Sequence, residues 1–305
     1  MILRQILKYP KICRILRPIS PKISFSMTTA DISQQLSTVY DPREAQNIAQ
    51  WLVEYLTGCS PLQQRLENTP LTESQIQQAQ SLLAELLQQK PLQYVLGESY
   101  FWNLKLLVSP AVLIPRPETE ELVAWIQQTF TKETTFRAID IGTGSGCIAI
   151  ALQQLFPLWS MTAADISADA LSIAQQNAKQ YQQNIQFIRV DITDIQQYDL
   201  FTTYNLIVSN PPYIPLSEKE SLGVNVVNYE PHQALFTPND QPTLFYEAIL
   251  QFADTHLAPK GHIFFELHEN FAQKIVALCH DKGYCNTELR QDLNGKGRML
   301  HIWKV

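Results

Sequence analysis

The chain has 305 residues, of which 45% are hydrophobic, and it carries 23 basic and 29 acidic side chains. Its length accommodates one large and one small domain, and no apolar run is long enough to cross a membrane. Its five cysteines are odd in number and its six histidines show no metal-ligand spacing, which predicts reduced thiols in the cytoplasm and no metal site.

Residues 1–26 differ from the rest because they contain six basic side chains and no acidic one. They fit an organelle transit peptide or a start codon assigned too early, with Met27 as the true start. We favour the early start because the segment contains three prolines. The remaining residues carry 17 basic and 29 acidic side chains, which argues against a body that binds nucleic acid through its phosphates.

Residues 27–90 are predicted to form a small helical bundle. Asp41 and Pro42 read as an N-cap followed by a proline at the first helical position, and apolar residues then recur at helical spacing. Thr72 and Gln75 fit a capping box at the start of another helix. No titratable cluster occurs in this bundle, so its predicted role is substrate recognition or scaffolding.

Residues 91–117 are predicted to form a β-hairpin and a linker. Alternation from Tyr94 to Val108 indicates the hairpin, with Gly97 near its turn. The sequence Ile-Pro-Arg-Pro follows, and its two prolines make the linker stiff. An arginine held between two prolines suggests a specific partner, which makes Arg116 a candidate substrate-binding residue.

Strands alternate with helices from residue 118 to residue 305, which predicts a largely parallel α/β sheet. The first of these strands ends in a G-x-G-x-G loop, where the backbone can approach a ligand closely. This spacing differs from the G-x-G-x-x-G of dinucleotide sites and argues against a nicotinamide enzyme. The loop consists of Gly142, Thr143, Gly144, Ser145 and Gly146.

Acidic residues close the next two predicted strands, at the same edge of the sheet as the glycine loop. Asp165 ends the second strand, where a carboxylate can accept hydrogen bonds from both ribose hydroxyls of a nucleoside. Asp191 and Ile192 end the third strand, and Ile192 is predicted to lie against the face of an adenine ring. Together these residues predict a nucleoside pocket.

The fourth strand ends in Asn210-Pro211-Pro212-Tyr213, where two prolines stop the strand and leave a rigid loop. The Asn210 side-chain oxygen and the Pro211 carbonyl can each accept one N–H of a planar amide or exocyclic amine. Tyr213 can pack on the same flat group. Beside a nucleoside pocket, this loop fits methyl transfer from S-adenosylmethionine. Residues 215–238 lack periodicity and are predicted to form a long covering loop.

From about Asp41 to the C-terminus, the sequence resembles the protein-(glutamine-N5) methyltransferases that modify class I peptide-chain release factors. The shared motifs include PLQYVLGESYFW, IPRPETE, DIGTGSGCIAIAL, SNPPYI, YEPHQALF and DLNGKGRML. The Asn-Pro-Pro-Tyr loop is also found in adenine methyltransferases, whereas the IPRPETE motif is much more specific to this family. Members usually have Glu-x-Gly where this chain has Glu266-Leu267-His268, and a tryptophan is common where Ile192 stands.

The resemblance implies an α/β fold, with a seven-stranded Rossmann-like class I methyltransferase domain (118–305) after the helical bundle and hairpin. It implies that S-adenosylmethionine is contacted by residues 142–146, Asp165, Ile192 and Asn210. It also implies that a release-factor glutamine is held by residues 210–213. Asn210, Pro211 and Tyr213 are then the expected catalytic residues, in an enzyme expected to act as a monomer without metal, membrane or nucleic acid.

Two alternatives stay open at this point. An N6-adenine methyltransferase acting on DNA or RNA would share the Asn-Pro-Pro-Tyr chemistry, but the acidic balance and the lack of a basic recognition domain argue against it. A non-catalytic nucleoside-binding module would share only the pocket, and the intact Asn210 loop argues against it.

Overall fold

The computed structural model of the chain describes residues 27–60, 62–64 and 70–304. These residues divide into two compact units, the first ending at Leu83 and the second beginning at Ala84. Residues 1–26, for which the sequence allows two interpretations, lie outside the described residues. Within the described part of the chain, no helix combines the length and apolar character needed to cross a membrane.

The first unit is helical, as the sequence predicts. Among the described residues, its helices include α1 (Thr29–Leu36), α2 (Pro42–Thr57) and the start of α3 (Glu73–Leu86). Asp41 caps α2 by accepting a hydrogen bond from the Arg43 amide at 2.9 Å. The predicted capping box of α3 is present, since the Thr72 amide donates to Gln75 Oε1 at 2.9 Å and the Gln75 amide donates to Thr72 Oγ1 at 3.3 Å.

The predicted hairpin occurs, but it begins later than expected. Leu92–Leu96 form a short helix, α4, which Gly97 ends with a left-handed φ of 73°. Gly97 is therefore a helix C-cap rather than the hairpin turn. Strand β1 (Glu98–Phe101) then pairs antiparallel with β2 (Leu104–Leu107), and the turn between them contains Trp102 at a φ of 56°.

The second unit is built on a seven-stranded sheet flanked by helices. The sheet strands are β3 (Arg137–Ile141), β4 (Ser160–Asp165), β5 (Ile185–Arg189), β6 (Tyr204–Ser209), β9 (Leu257–Glu266), β10 (Asn286–Gln291) and β11 (Gly297–Trp303). The main helices are α5 (Pro117–Thr129), α6 (Cys147–Leu155), α7 (Ala168–Gln180), α10 (Leu244–His256) and α11 (Ala272–Asp281).

The strand order is β10-β11-β9-β6-β3-β4-β5. Strand β11 runs antiparallel to both of its neighbours, and the other adjacent pairs are parallel. The order reverses between β3 and β6, because the chain builds outward to β5 and then returns to the middle. Such a switch point opens a crevice at the carboxyl ends of the strands, where α/β sheets bind ligands.

Alternate residues of the central strands face two different helix layers. Leu206 and Val208 of β6 belong to the core cluster that includes α5 and α6, whereas Ile207 belongs to the cluster that includes α10 and α11. All three side chains are fully buried. A strand covered on both faces has the continuous apolar sequence that the residues of β6 show.

The segment after the Asn210 loop is more ordered than the predicted long loop. It contains β7 (Ile214–Pro215), α8 (Val224–Tyr229), α9 (His232–Leu235) and β8 (Phe236–Thr237), and β7 pairs in parallel with β8. Helices of four and six residues are too short to show a helical period in the sequence. The prediction of an irregular segment was wrong for that reason.

Candidate active site

A cavity of about 390 Å³ lies at the carboxyl edge of the sheet, beside the switch point between β3 and β6. This volume is in the range of small-molecule sites. Each neighbouring strand contributes to its lining through the residues that follow it. Seven of the predicted site residues line it: Gly142, Gly144, Asp165, Ile192, Asn210, Pro211 and Pro212. Tyr213 is not among the lining residues.

The glycine loop (residues 142–146) meets the cavity through only two of its members. Gly142 and Gly144 have φ values of 74° and 54°, which side chains rarely adopt, and open space lies where a Cβ would stand. The amides of Gly142 and Thr143 both donate to the Ala164 carbonyl, at 2.8 and 3.0 Å. These bonds fix the loop against the end of β4 and leave its glycine backbone open to a ligand.

The other three loop residues do not line the cavity, in contrast to the contacts expected for them. Thr143 is buried and donates from its hydroxyl to Asp140 at 2.6 Å, and Ser145 is buried as well. A Cβ on Gly146 would lie 3.1 Å from Ala174 Cβ, so this glycine permits close packing of α6 on α7. All five residues fit the same sequence pattern, but only two of them line the cavity and the other three determine the shape of the loop.

Asp165 is held so that its carboxylate faces the cavity. Its two oxygens accept hydrogen bonds from the amides of Gly144 and Ser167, both at 2.9 Å. Burial raises the pKa of this carboxyl group, and the backbone donors oppose that shift. A carboxylate has about four acceptor positions, so two remain for the adjacent hydroxyls of a ribose.

The turn after β5 supplies an apolar wall. Ile192 is 8% exposed and lines the cavity next to Asp191. The Tyr198 hydroxyl donates to the Ile192 carbonyl at 2.9 Å, and the Thr193 hydroxyl donates to the Asp191 side chain at 2.6 Å. These contacts fix the turn, and the side chain of Ile192 forms part of the cavity wall.

The Asn210 loop (residues 210–213) is held at both ends by one buried carboxylate. Asn210 Nδ2 donates to Thr119 Oγ1 at 3.1 Å, and the Thr119 hydroxyl donates to Glu266 Oε2 at 2.6 Å. The Tyr213 hydroxyl donates to Glu266 Oε1 at 3.1 Å. The sequence analysis did not identify Thr119 or Glu266 as site residues. Thr119 lies in the IPRPETE motif, and Glu266 is the first residue of the Glu-Leu-His sequence that replaces Glu-x-Gly.

Burial raises the pKa of Glu266 to about 6, with the hydrogen bonds from Thr119 and Tyr213 and the charge of Arg298 opposing the shift. Burial also raises the pKa of Tyr213, so this phenol stays a neutral donor. Among the described residues, no group of three or more His, Cys, Asp or Glu side chains suits a metal ion.

Arg116 does not line the cavity, in contrast to the substrate-binding role predicted for it. Its Nη2 lies 2.5 Å from Glu230 Oε1, and the Ile114 amide donates to Glu230 Oε2 at 3.2 Å. Glu230 is only 4% exposed, and a buried carboxylate needs a compensating charge. The arginine has a specific partner, but that partner is within the chain. The segments joined in this way both line the cavity, through Ala111, Val112, Leu113, Pro231, Gln233 and Ala234.

The cavity fits a nucleoside with an extended tail, because it combines an open glycine backbone, a carboxylate and an aliphatic wall beside the Asn210 loop. Together, this site and the seven-stranded sheet with one reversed strand define a class I methyltransferase that uses S-adenosylmethionine. The methyltransferase small domain model matches residues 120–229, and the PrmC N-terminal domain model matches residues 29–97. The chain belongs to the family of release factor glutamine methyltransferases.

Relatives that carry this name cover most of the chain. The protein from Flavobacterium psychrophilum is 37% identical over 88% of this chain and 95% of its own length. Those from Bacteroides thetaiotaomicron and Coxiella burnetii are each 34% identical, over 89% and 91% of this chain and 97% and 98% of their own lengths. A solved methyltransferase structure from Pyrococcus furiosus is 18% identical, covers 67% of this chain and 90% of its own, and has a TM-score of 0.47, too low to add to the assignment.

Proposed function

We propose that this enzyme transfers a methyl group from S-adenosylmethionine to the side-chain amide nitrogen (N5) of the glutamine in the Gly-Gly-Gln motif of class I release factors. The observation that carries the proposal is the fixed amide of Asn210. Its nitrogen donates to Thr119, which leaves its oxygen as a free acceptor beside the cavity. That oxygen suits a substrate nitrogen that bears two N–H groups.

An amide nitrogen is a poor nucleophile because its lone pair is delocalised into the carbonyl group. Asn210 Oδ1 and the Pro211 carbonyl each accept one N–H, which holds the substrate amide in one orientation. As positive charge develops on that nitrogen, the two fixed dipoles stabilise it. S-adenosylmethionine, when bound, would supply an electrophilic methyl group on a positively charged sulfur, with the sulfur–methyl bond breaking as the nitrogen–methyl bond forms and S-adenosylhomocysteine as the leaving group. The methylated nitrogen gives up one proton, so that the product amide is neutral. The ring of Tyr213 packs on the flat substrate group.

The remaining lining residues hold the cofactor. Asp165 accepts hydrogen bonds from the ribose hydroxyls, Ile192 packs on the adenine ring, and the backbone of Gly142 and Gly144 permits close approach of the tail. Asn210 lies where the cofactor and substrate sides of the cavity meet. All five residues line the same cavity, which supports this division of roles.

Specificity must come from outside the amide-binding loop, because every glutamine carries the same amide group. We assign recognition of the release factor to the helical residues 27–90 and to the segment around α8 and α9. Trp51 and Tyr55 lie one turn apart on α2 and are 52% and 39% exposed, and such aromatic residues commonly anchor protein interfaces. An intact release factor should then be methylated much faster than a Gly-Gly-Gln peptide.

We further propose that the partner is a protein, with no direct contact to nucleic acid, and that the enzyme acts as a monomer in the cytoplasm. The net charge of −6 supports the first part, since a phosphate-binding surface needs a basic excess. Light scattering of the purified chain tests the second part by giving its mass in solution. Retention on a nucleic-acid column at low salt would instead favour the adenine methyltransferase.

Mass spectrometry tests the proposed reaction directly. The full chain is incubated with S-adenosylmethionine and a class I release factor, and the peptide that contains Gly-Gly-Gln is analysed. We expect one added methyl group on the glutamine, and none on a release factor in which that glutamine is replaced by glutamate. An unmodified glutamine alongside methylated adenine in added DNA or RNA would overturn the proposal.

A further inference from the structure

We propose that Thr119 and the ionised carboxylate of Glu266 are positioning residues, which set the orientation of the Asn210 amide and tie it to Tyr213. The inference rests on the proposed function, because methyl transfer to glutamine is its readout. Neither residue lines the cavity, so each acts through the Asn210 loop. Thr119 and Glu266 support the loop that holds the substrate amide, whereas Asp165 on the cofactor side is held by other contacts.

The first step concerns the single proton of the Thr119 hydroxyl. That proton is donated to Glu266 Oε2 across a short contact of 2.6 Å. Only lone pairs of Thr119 are then available toward Asn210, so the Asn210 group that faces it at 3.1 Å must be the donating nitrogen. The Asn210 oxygen is consequently turned away from Thr119. The chain from Glu266 to Thr119 to Asn210 thus selects one of the two amide orientations.

The second step concerns the charge of Glu266. Its side chain is 1% exposed and accepts hydroxyl protons on both oxygens, from Thr119 and from Tyr213. The charged groups that act on it are Arg298, which favours ionisation, and Glu118, which opposes it. None of the salt bridges found in the described part of the chain includes Glu266. A buried carboxylate held by two neutral hydroxyls costs stability, which is typical of a group retained for function.

The third step is the consequence of losing that charge. A protonated Glu266, or a glutamine in its place, has a hydrogen to donate and only one strong acceptor left. If it donates to Thr119, the Thr119 proton turns toward Asn210 and favours the opposite amide orientation. If it donates to Tyr213, the tyrosine hydroxyl becomes the acceptor of that bond, and its own proton must turn away from Glu266. Either outcome disturbs one end of the loop that holds the substrate amide.

The matched pair Thr119→Val and Thr119→Ser separates positioning from packing. Valine has nearly the shape of threonine but no hydroxyl, whereas serine keeps the hydroxyl and removes a methyl group. At saturating cofactor and release factor, we expect the single-turnover methylation rate of Thr119→Val to fall at least tenfold. This loss is smaller than the ~10²–10³ expected when a polar contact to the reacting group itself is removed, because Thr119 acts through Asn210. Thr119→Ser should recover most of the rate. Cofactor affinity of both variants, measured by calorimetry, should stay within about threefold of wild type, a difference worth less than ~1 kcal/mol.

The pH dependence gives a readout that a packing defect would not change. With a pKa of about 6 for Glu266, the single-turnover rate of the wild type should fall as the pH is lowered through that value, because the acceptor form is lost. Glu266→Gln should be slow throughout and lack this inflection. Thermal unfolding scans of all variants show which of them are folded.

The outcomes are distinguishable. If the wild type leaves the release-factor glutamine unmodified, the proposed function fails before any variant is compared. If the wild type is active and folded Thr119→Val transfers methyl groups at its rate, the positioning role alone is wrong. If Thr119→Ser is as slow as Thr119→Val, the methyl group of Thr119 matters rather than its hydroxyl, and the positioning role is wrong again.

Discussion

The two sides of the cavity are held by different kinds of contact. On the cofactor side, Asp165 is fixed by backbone amides that lie 21 and 2 residues away in the sequence. On the substrate side, Asn210 is fixed by Thr119, 91 residues away, and Thr119 by Glu266, 147 residues away. The cofactor side is thus shaped by backbone contacts at the ends of neighbouring strands, and the substrate side depends on side-chain contacts between residues much farther apart in the sequence.

This difference predicts that the two sides fail in different ways. Removing a residue on the cofactor side should weaken cofactor binding. Removing a residue on the substrate side should slow transfer and leave cofactor binding nearly intact. Substitutions on each side, and at two contacts beside the cavity, test that separation.

The largest effect is expected at Asn210. Asn210→Ala removes the acceptor for one substrate N–H, and loss of one such preorganised contact costs about 10²–10³ in turnover. Asn210→Asp keeps an acceptor but adds a negative charge, which would stabilise a cationic cofactor before reaction as well as during it and so would not speed transfer. Single-turnover methylation at saturating cofactor measures the rate, and calorimetry measures cofactor affinity.

Both Asn210 variants should bind S-adenosylmethionine within a modest factor of wild type and transfer methyl groups very slowly. A near-normal rate for Asn210→Ala would show that Asn210 is only a turn residue. A large loss of cofactor affinity without a rate defect would show that the two sides are not separable.

The next effect is expected at Asp165, on the cofactor side. Asp165→Ala removes two hydrogen bonds to a charged acceptor, each worth roughly 1.5–3 kcal/mol, so cofactor affinity should fall at least tenfold. Once cofactor is saturating, the single-turnover rate should return toward that of wild type. Asp165→Asn is the control for volume, since it keeps the shape but can donate to and accept from the ribose. Unchanged affinity in folded Asp165→Ala would remove this residue from the cofactor site.

A smaller effect, on stability, is expected at Arg116. Arg116→Ala leaves the buried carboxylate of Glu230 without its charge partner. Because the arginine side chain is 32% exposed, we expect a loss of about 2 kcal/mol in the free energy of unfolding, between the values for exposed and buried pairs. Denaturant unfolding measures it. The double variant Arg116→Ala with Glu230→Gln should lose less, because no uncompensated charge remains.

The same variant decides between the two roles considered for Arg116. If the ion pair with Glu230 is its role, folded Arg116→Ala should keep the KM for release factor within a few-fold of wild type. A large rise in that KM without a change in unfolding would restore the substrate-binding role that the sequence suggested.

The contrast between backbone contacts at strand ends and side-chain contacts between distant residues also explains what the sequence could predict. The parallel sheet, the glycine loop and Asp165 were predictable because each is marked by residues next to a strand end. Glycine, aspartate and proline act there through backbone geometry that does not depend on the rest of the fold. The Asn210 loop was predictable for the same reason.

The supporting contacts were not predictable in this way. A threonine in the first turn of α5 and a glutamate at the end of β9 carry no local signal that they meet. The prolines around Arg116 indicated a directed side chain, but its partner Glu230 lies 114 residues away. Gly97 has the same left-handed conformation in a helix cap as in a turn, so its residue type did not distinguish them.

The smallest effect is expected at His268, which stands where family members usually have glycine. His268 Nδ1 accepts a hydrogen bond from the Asn270 amide at 3.2 Å, and Nε2 lies 3.1 Å from Glu218 Oε2. Its ring meets the ring of Tyr213 edge-on at a centroid distance of 5.9 Å. His268→Gly should therefore cost about 1 kcal/mol of unfolding free energy, the usual net value of a lost hydrogen bond. His268→Asn, which keeps a capping group, should recover part of that loss.

Turnover should respond much less to His268→Gly than to Thr119→Val, although both residues lie beside the Asn210 loop. The hydroxyl of Tyr213 remains bound to Glu266 when His268 is absent, so the orientation of the substrate amide is retained. We expect a change of less than about threefold in the single-turnover rate, equivalent to less than ~1 kcal/mol. A tenfold loss would mean that ring packing on Tyr213, rather than the hydrogen bonds to Glu266, holds that end of the loop. The substrate side would then depend on packing that the hydrogen-bond chain does not describe.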